Sequence, residues 1–215
     1  MCGLIWQYGQ EREVHIKLIN NGDDCTIFCE EEDSAKLMEG FDEWFLEFGY
    51  RMTVEKPVTC LEHVEFCQMH PVRGPYGYTM VRNIRTALAK DTVTVLPVTN
   101  EGAARTWFKA VGQCGLSLAS GIPMMQNFYQ LYDRQSTKTS KVSEHGAMQT
   151  GMAMLARDME HRYSVPTSDT RYSFWLAFGF TPDEQRAYEY KFDNYQIDYT
   201  KIVPADYKTV THLEL

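Results

Sequence analysis

Lys17-Leu18-Ile19-Asn20-Asn21-Gly22-Asp23-Asp24-Cys25-Thr26-Ile27-Phe28 is the stretch on which the reading of this chain turns. Before its centre, Val14, Ile16 and Leu18 alternate with His15, Lys17 and Ile19, the period of two of a half-buried strand. After it, Thr26-Ile27-Phe28-Cys29 reads as a second short strand. Asn-Gly between two apolar runs is a strong hairpin signal, because both residues tolerate positive φ. The residues at the tip, 20–24, leave room for a bulge. Two adjacent carboxylates at such a bend repel each other, and holding both ionised costs free energy unless a cation is shared. Magnesium suits the place: it takes oxygen ligands, keeps several waters and is commonly held by one or two carboxylates plus substrate phosphates. Two such ions about 4 Å apart activate a 3′-hydroxyl and stabilise a pyrophosphate leaving group. Gly22 lets the backbone approach that cluster. The competing reading of the same residues is an ordinary solvated hairpin tip. A Gly-Asp-Asp triplet alone arises by chance in roughly a few per cent of chains this long. The apolar strands on either side favour the metal reading, because they place the acids on a rigid tip.

Composition bounds what the rest can be. The chain has 215 residues, 44% hydrophobic and 13% aromatic, which suffices for one large domain or two small ones and excludes a disordered polymer. Net charge is −8, unevenly spread. Residues 1–69 carry 5 Lys/Arg against 15 Asp/Glu, residues 70–110 carry 6 against 2, and residues 111–215 carry 10 against 12. The acidic sum argues against a nonspecific polyanion binder. An acidic segment followed by a basic one instead allows a cation in the first and a phosphate chain on the second. The cysteines, Cys2, Cys25, Cys29, Cys60, Cys67 and Cys114, form no Cys-x-x-Cys, and no His-x-x-x-His occurs, so the usual zinc spacings are missing. With no secretion signal in view, reduced thiols and a cytosolic setting are expected. No run reaches the roughly 18 apolar residues of a membrane span.

The elements expected around the hairpin are mixed, then helical. A helix over about 34–48 is capped by Asp33, buries Leu37, Phe41, Trp44, Phe45 and Phe48, and stops at Gly49. Strands are expected at Arg51–Val54, His63–Gln68 and Tyr78–Val81, the last two joined by Arg73-Gly74-Pro75-Tyr76-Gly77. Beyond Arg82 the pattern predicts helices near 100–119, 123–134, 147–161, 170–178 and 182–192, with Thr181-Pro182-Asp183-Glu184 as a capping box. Gln135 to Glu144 reads as a solvated loop, and the last 20 or so residues as irregular.

Asn20-Asn21-Gly22-Asp23-Asp24-Cys25 between two short strands resembles the metal-binding hairpin of positive-strand RNA virus RNA-dependent RNA polymerases. Phe48-Gly49-Tyr50-Arg51-Met52-Thr53-Val54-Glu55-Lys56-Pro57 resembles the next motif of their palm subdomain. Val64-Glu65-Phe66-Cys67-Gln68-Met69-His70-Pro71-Val72 resembles the hairpin that follows in tombusvirus-like members. Met80-Val81-Arg82-Asn83 and Ser173-Phe174-Trp175-Leu176-Ala177-Phe178-Gly179 resemble their thumb. The resemblance implies an α/β (α+β) chain: a partial polymerase palm over 1–81, with an antiparallel sheet, a Gly-Asp-Asp hairpin and one helix, then a mainly α-helical thumb over 82–215. The palm part would hold the end of the motif B helix, from Met1 to about Tyr8, and motifs C, D and E.

It further implies RNA-directed RNA polymerase activity in viral genome replication, by nucleotidyl transfer on Mg2+ or Mn2+. Asp23 would be the principal metal ligand, with Asp24 assisting. Lys56 would protonate the departing pyrophosphate, with Arg51 the second choice because an arginine is a poor proton donor. A solvated surface lysine is the competing reading of Lys56. Gly22, Cys67, Gln68, Arg73, Arg82 and Arg85 would contact template, nascent RNA or the priming nucleotide, alongside nucleoside triphosphates as substrates. Lys90, Arg105 and Lys109 read instead as a solvated face, and Trp107, Phe108, Phe128, Tyr129 and Tyr132, at helical spacing, as core.

The family also needs an earlier palm motif with another metal-binding aspartate, a Ser-Gly loop that selects the ribose, and a fingers subdomain. Neither motif is in this sequence, so the chain is expected to be the carboxy-terminal part of a longer polymerase, inactive alone. The resemblance also implies a place in the host cytoplasm at membrane-associated replication sites, which would be reached through other segments or partners. The alternative function is a non-catalytic RNA-binding or scaffold module on a palm-like fold. A nucleotide-sugar transferase is disfavoured because its two aspartates are usually separated by one residue. A reverse transcriptase is disfavoured by Gly22 and by the downstream motifs.

Overall fold

The computed structural model describes residues 1–94, 98, 100–136, 152–156, 159 and 163–201. The chain forms two compact units, dividing between His70 and Pro71. Among the described residues no helix is long and apolar enough to cross a membrane.

In the first unit, α1 (Cys2–Glu11) leads through a tight turn, with Glu13 at φ 49°, into β1 (Lys17–Asn21), which pairs antiparallel with β2 (Asp24–Phe28). The expected alternation holds: Val14 and Ile16 are buried, Leu18 packs against the same core, and Ile19 is exposed. That core is aromatic. Tyr8 on α1 meets Phe41 and Trp44 edge-on, each at 5.1 Å, and its hydroxyl donates to the Glu39 carbonyl at 2.7 Å. Edge-to-face packing suits the ring quadrupoles, and the bonded hydroxyl lets Tyr8 be fully buried.

The single helix expected over 34–48 is interrupted. Glu31–Asp33 is a turn of 3-10 helix, followed by α2 (Ser34–Met38) and α3 (Phe41–Glu47). Gly40 stands between the two helices at φ 68°, a left-handed conformation that ends one and starts the other at a new angle. Leu37, Phe41 and Phe45 still reach one core, so the apolar spacing survived while the helix did not. Asp33 makes no side-chain cap, whereas Gly49, at φ 81°, does follow the end of α3.

Two expected strands are not strands. Residues 51–58 carry no regular structure, and Met52 alone of Arg51–Val54 packs on the core. A strand needs a ladder partner, and the first sheet consists of β1 and β2. His63–Gln68 likewise yields to a 3-10 turn at Leu61–His63 and a chain reversal at Cys67-Gln68. The strand begins only afterwards, as β3 (Met69–Gly74).

β3 and β4 (Gly77–Arg82) form a separate antiparallel pair. Their Val72 and Val81 are buried in the core of the second unit, and the division between the two compact units falls within β3, after His70. Then come α4 (Ile84–Lys90), absent from the expected set, α5 (Glu101–Ala119) and α6 (Met125–Gln135). They are followed by α7 (Met152–Leu155), α8 (Ser168–Phe178) and α9 (Pro182–Asn194). Most of the 147–161 helix and the 137–144 part of the expected loop lie outside the described residues. Helices α5 and α6 approach very closely. A methyl group on Gly115 would sit 2.0 Å from Cδ1 of Tyr129, and one on Gly112 only 2.6 Å from the Asp133 nitrogen. Phe108, Phe128, Tyr129 and Tyr132 are buried as expected from their spacing, and Trp107 packs beside them. The capping box at Thr181 and Glu184 is formed in full.

Candidate functional site

The hairpin tip is tighter than its sequence suggests. The ladder runs to Asn21 opposite Asp24, so the turn consists of Gly22 and Asp23 alone, with no bulge. Gly22 has φ 69° while Asp23 does not enter the positive region, the φ signs of a type II′ turn. Asn20 reinforces it: its Nδ2 lies 3.2 Å from both the Gly22 and the Asp24 carbonyl oxygens. This is why two asparagines precede the glycine. One caps the turn and the other closes the ladder.

Asp23 and Asp24 are both exposed, yet their surroundings differ. Asp24 accepts a hydrogen bond at Oδ2 from the backbone N–H of Cys67, at 2.9 Å. Neither carboxylate has a lysine, arginine or histidine within ion-pair distance among the described residues. Hard anionic oxygens on a stiff turn, with no protein cation to neutralise them, suit Mg2+ or Mn2+ by donor chemistry. The pair supplies only part of a coordination shell. Among the described residues no group of three or more His, Cys, Asp or Glu could hold a metal.

Cys67 and Gln68, expected to grip RNA, form a second tight turn against the first. Phe66 and Met69 exchange both backbone bonds, at 2.9 and 3.0 Å, and the two residues between them stand at φ 52° and 61°. The Asn21 side chain reaches the Cys67 sulfur at 3.2 Å. Gly22, Asp24 and Cys67 are thus drawn together within the first unit. Lys56 and Arg51 are exposed on the irregular segment, with no ion pair among the described residues.

The basic residues of the second unit divide by what they touch. Arg82 is bound to Asp91, whose side chain is 2% exposed and also accepts from the Tyr129 hydroxyl at 2.6 Å. Burial pushes the Asp91 carboxyl above its ordinary range, against the lowering pull of Tyr129 and Arg82. Arg85 lies over the Phe180 ring at 4.9 Å. The side chain of Arg73 is exposed, while its backbone N–H donates to Ser173 Oγ at 2.8 Å. Lys109 is buried against Asp133, at 2.5 Å, and Arg105 bonds Glu101 and the Gln135 carbonyl, each at 2.7 Å. These last two hold the helices together rather than forming the solvated face expected of them. Asp91 escaped the sequence reading because nothing local marks a lone aspartate after a lysine as a buried anchor.

The chain matches a family described as viral RNA dependent RNA polymerase over residues 1–200. It is 39% identical over 207 residues to the RNA-directed RNA polymerase of Tobacco necrosis virus (strain A), covering 96% of this chain and 28% of that protein. The RNA-directed RNA polymerase of Oat chlorotic stunt virus is 39% identical over 208 residues, with coverage of 92% and 28%. That of Melon necrotic spot virus is 38% identical over 200 residues, with coverage of 92% and 25%. The chain therefore spans about a quarter of the length of these curated relatives. No solved structure matches it.

Proposed function

Since the chain belongs to the viral RNA-dependent RNA polymerase family, we propose that it carries the metal-binding hairpin and the thumb of an RNA-directed RNA polymerase. In this reading the first unit is the later part of the palm and the second, helical unit is the thumb. The enzyme joins nucleoside triphosphates to a nascent strand on an RNA template, within a longer protein that brings the remaining ligands and the fingers. The observation that carries the reading is Asp23: an exposed carboxylate at the apex of a two-residue turn, unopposed by any protein cation among the described residues.

Asp23 holds the divalent ion and Asp24 assists from the adjoining ladder position. The chemistry such an ion supplies when bound is activation of the attacking hydroxyl and neutralisation of the leaving pyrophosphate. Lys56, exposed and unpaired among the described residues, delivers a proton to that pyrophosphate, with Arg51 the second choice. Gly22 lets the growing end approach the turn. Gln68 and Cys67 contact the priming end, and Arg73 meets phosphate. Arg82 and Arg85 are weaker candidates for RNA contact, because each already engages a partner.

A second reading, a non-catalytic RNA-binding module, is favoured by one observation. The described residues offer no group of three metal ligands. The two readings separate in a chimaera in which this chain replaces the matching portion of the Tobacco necrosis virus polymerase. Templated RNA synthesis by the chimaera, reduced roughly 100-fold or more by Asp23→Ala, is expected. A chimaera that folds and binds RNA but synthesises nothing, or one indifferent to Asp23→Ala, overturns the catalytic reading.

A further inference from the structure

We infer that Cys67 is a positioning residue for the Asp24 carboxylate, acting through its backbone N–H rather than its thiol. The inference rests on the reading of Asp23 and Asp24 as a divalent-metal site, and it identifies what orients one of the two acids. In the turn between Phe66 and Met69, those two residues satisfy each other's backbone groups completely. The N–H of Cys67, the first residue of the turn, is left pointing outward, and it meets Oδ2 of Asp24 at 2.9 Å. Cys67 and Gln68 both hold positive φ, and neither is glycine, so the turn is kept at a conformational cost. Backbone strain of this kind persists only where the surroundings over-determine it.

The second tether is on the same residue. Asn21 and Asp24 are the closing pair of the β1–β2 ladder, and the Asn21 amide reaches Cys67 Sγ at 3.2 Å. Thiol sulfur is a weak acceptor, so the backbone bond carries the larger share. Both members of the closing pair thus lean on one residue more than forty positions away in sequence. The choice of donor matters. A lysine or arginine at this place would compete with a metal cation for the carboxylate. A neutral N–H orients Oδ2 and leaves the negative charge, and Oδ1, available. Asp23, at the apex, has no such tether among the described residues. One acid is therefore held in a set rotamer and the other is free to close on the ion, which lowers the ordering cost of binding.

Two readouts on the full chain test this: Mn2+ affinity by electron paramagnetic resonance, and the Cys67 amide resonance in 15N-labelled protein. Asp24→Ala is expected to shift that amide strongly upfield, and Asp23→Ala to leave it in place. Cys67→Gly and Cys67→Ala keep the N–H and are expected to bind Mn2+ within about twofold of the parent, while Cys67→Val, whose branched side chain disfavours positive φ, weakens binding roughly three- to tenfold. Equal Mn2+ binding by the Val and Gly variants, or an amide signal indifferent to Asp24→Ala, overturns the positioning role. A loss in Cys67→Ala as large as in Cys67→Val moves the role to the thiol and overturns the backbone assignment. Mn2+ affinity that ignores Asp23→Ala overturns the metal reading itself. That failure is told apart because the Cys67 amide still moves in Asp24→Ala.

Discussion

Asn21 and Asp24 face each other as the last pair of the β1–β2 ladder, which leaves Gly22 and Asp23 alone to reverse the chain. The backbone at the tip is thereby set: Asn21 and Asp24 are held by the ladder, and Gly22 must hold φ 69°, while the Asp23 side chain stays untethered among the described residues. Replacing Gly22 by Ala is expected to destabilise the first unit by about 1 kcal/mol, because an L-residue pays for left-handed backbone. Gly22→Asn should cost less, since asparagine enters that region more readily. Denaturant unfolding followed by the fluorescence of Trp6 and Trp44 measures both, and equal stability of all three proteins would contradict the turn geometry.

The same substitution should act with opposite signs on two helices. Gly115→Ala forces a methyl group into the Tyr129 ring, 2.0 Å away, and is expected to cost about 3 kcal/mol or more. Gly3→Ala in α1 meets nothing within 4 Å and is expected to add about 0.5–1 kcal/mol, because alanine loses less backbone entropy than glycine on forming a helix. Thermal unfolding of the two variants beside the parent decides the matter.

Asp91 anchors Arg82 and the Tyr129 hydroxyl from a buried position. Asp91→Ala strands a buried hydroxyl and releases a guanidinium, at an expected cost of about 2–4 kcal/mol in urea unfolding. The pH dependence has a definite sign. Burial raises the carboxyl above its ordinary 3.8, so the folded chain holds this proton more tightly than the unfolded one. The stabilisation from this group is full below pH 3.8 and is lost as pH rises through the higher folded value. The stability of the parent relative to Asp91→Asn should accordingly fall across that window, and a difference that rises with pH would refute the assignment.

Cys114 lies on the buried face of α5, and burial alone pushes its thiol from 9.0 to about 11. Iodoacetamide at pH 8 is expected to label the exposed Cys2 in the native chain and Cys114 only after denaturant is added. Its contribution to stability is complete below pH 9.0 and disappears as pH climbs through about 11, since only the unfolded thiol ionises in between. Native-state labelling of Cys114 at a rate like that of Cys2 would place it outside the core.

Much of the candidate site was legible because hairpin signals are local. Asn20, Asn21 and Gly22 announce a turn through their own tolerance of positive φ, and the alternation of Val14, Ile16 and Leu18 shows which face is buried. Helices α5, α6, α8 and α9 were legible for the same reason, through periodic apolar residues and a capping box that satisfies its own backbone. Residues 51–54 and 63–68 misled because a strand is not a local object. Their side chains suit a sheet, but without a neighbour the backbone groups find no ladder. The break at Gly40 and the short α4 were likewise missed, one hidden inside a continuous apolar stripe and the other only two turns long.

The pair of acids on a hairpin, the apolar faces and the family to which they belong are all written in residue type and short-range spacing. Which groups touch the acids and the bases is set by packing instead: Cys67 on Asp24, Asp91 on Arg82, Asp133 on Lys109. Hydrogen bonds and ion pairs between residues distant along the chain depend on where the packed core brings the backbone, and a backbone N–H has no residue type to betray it.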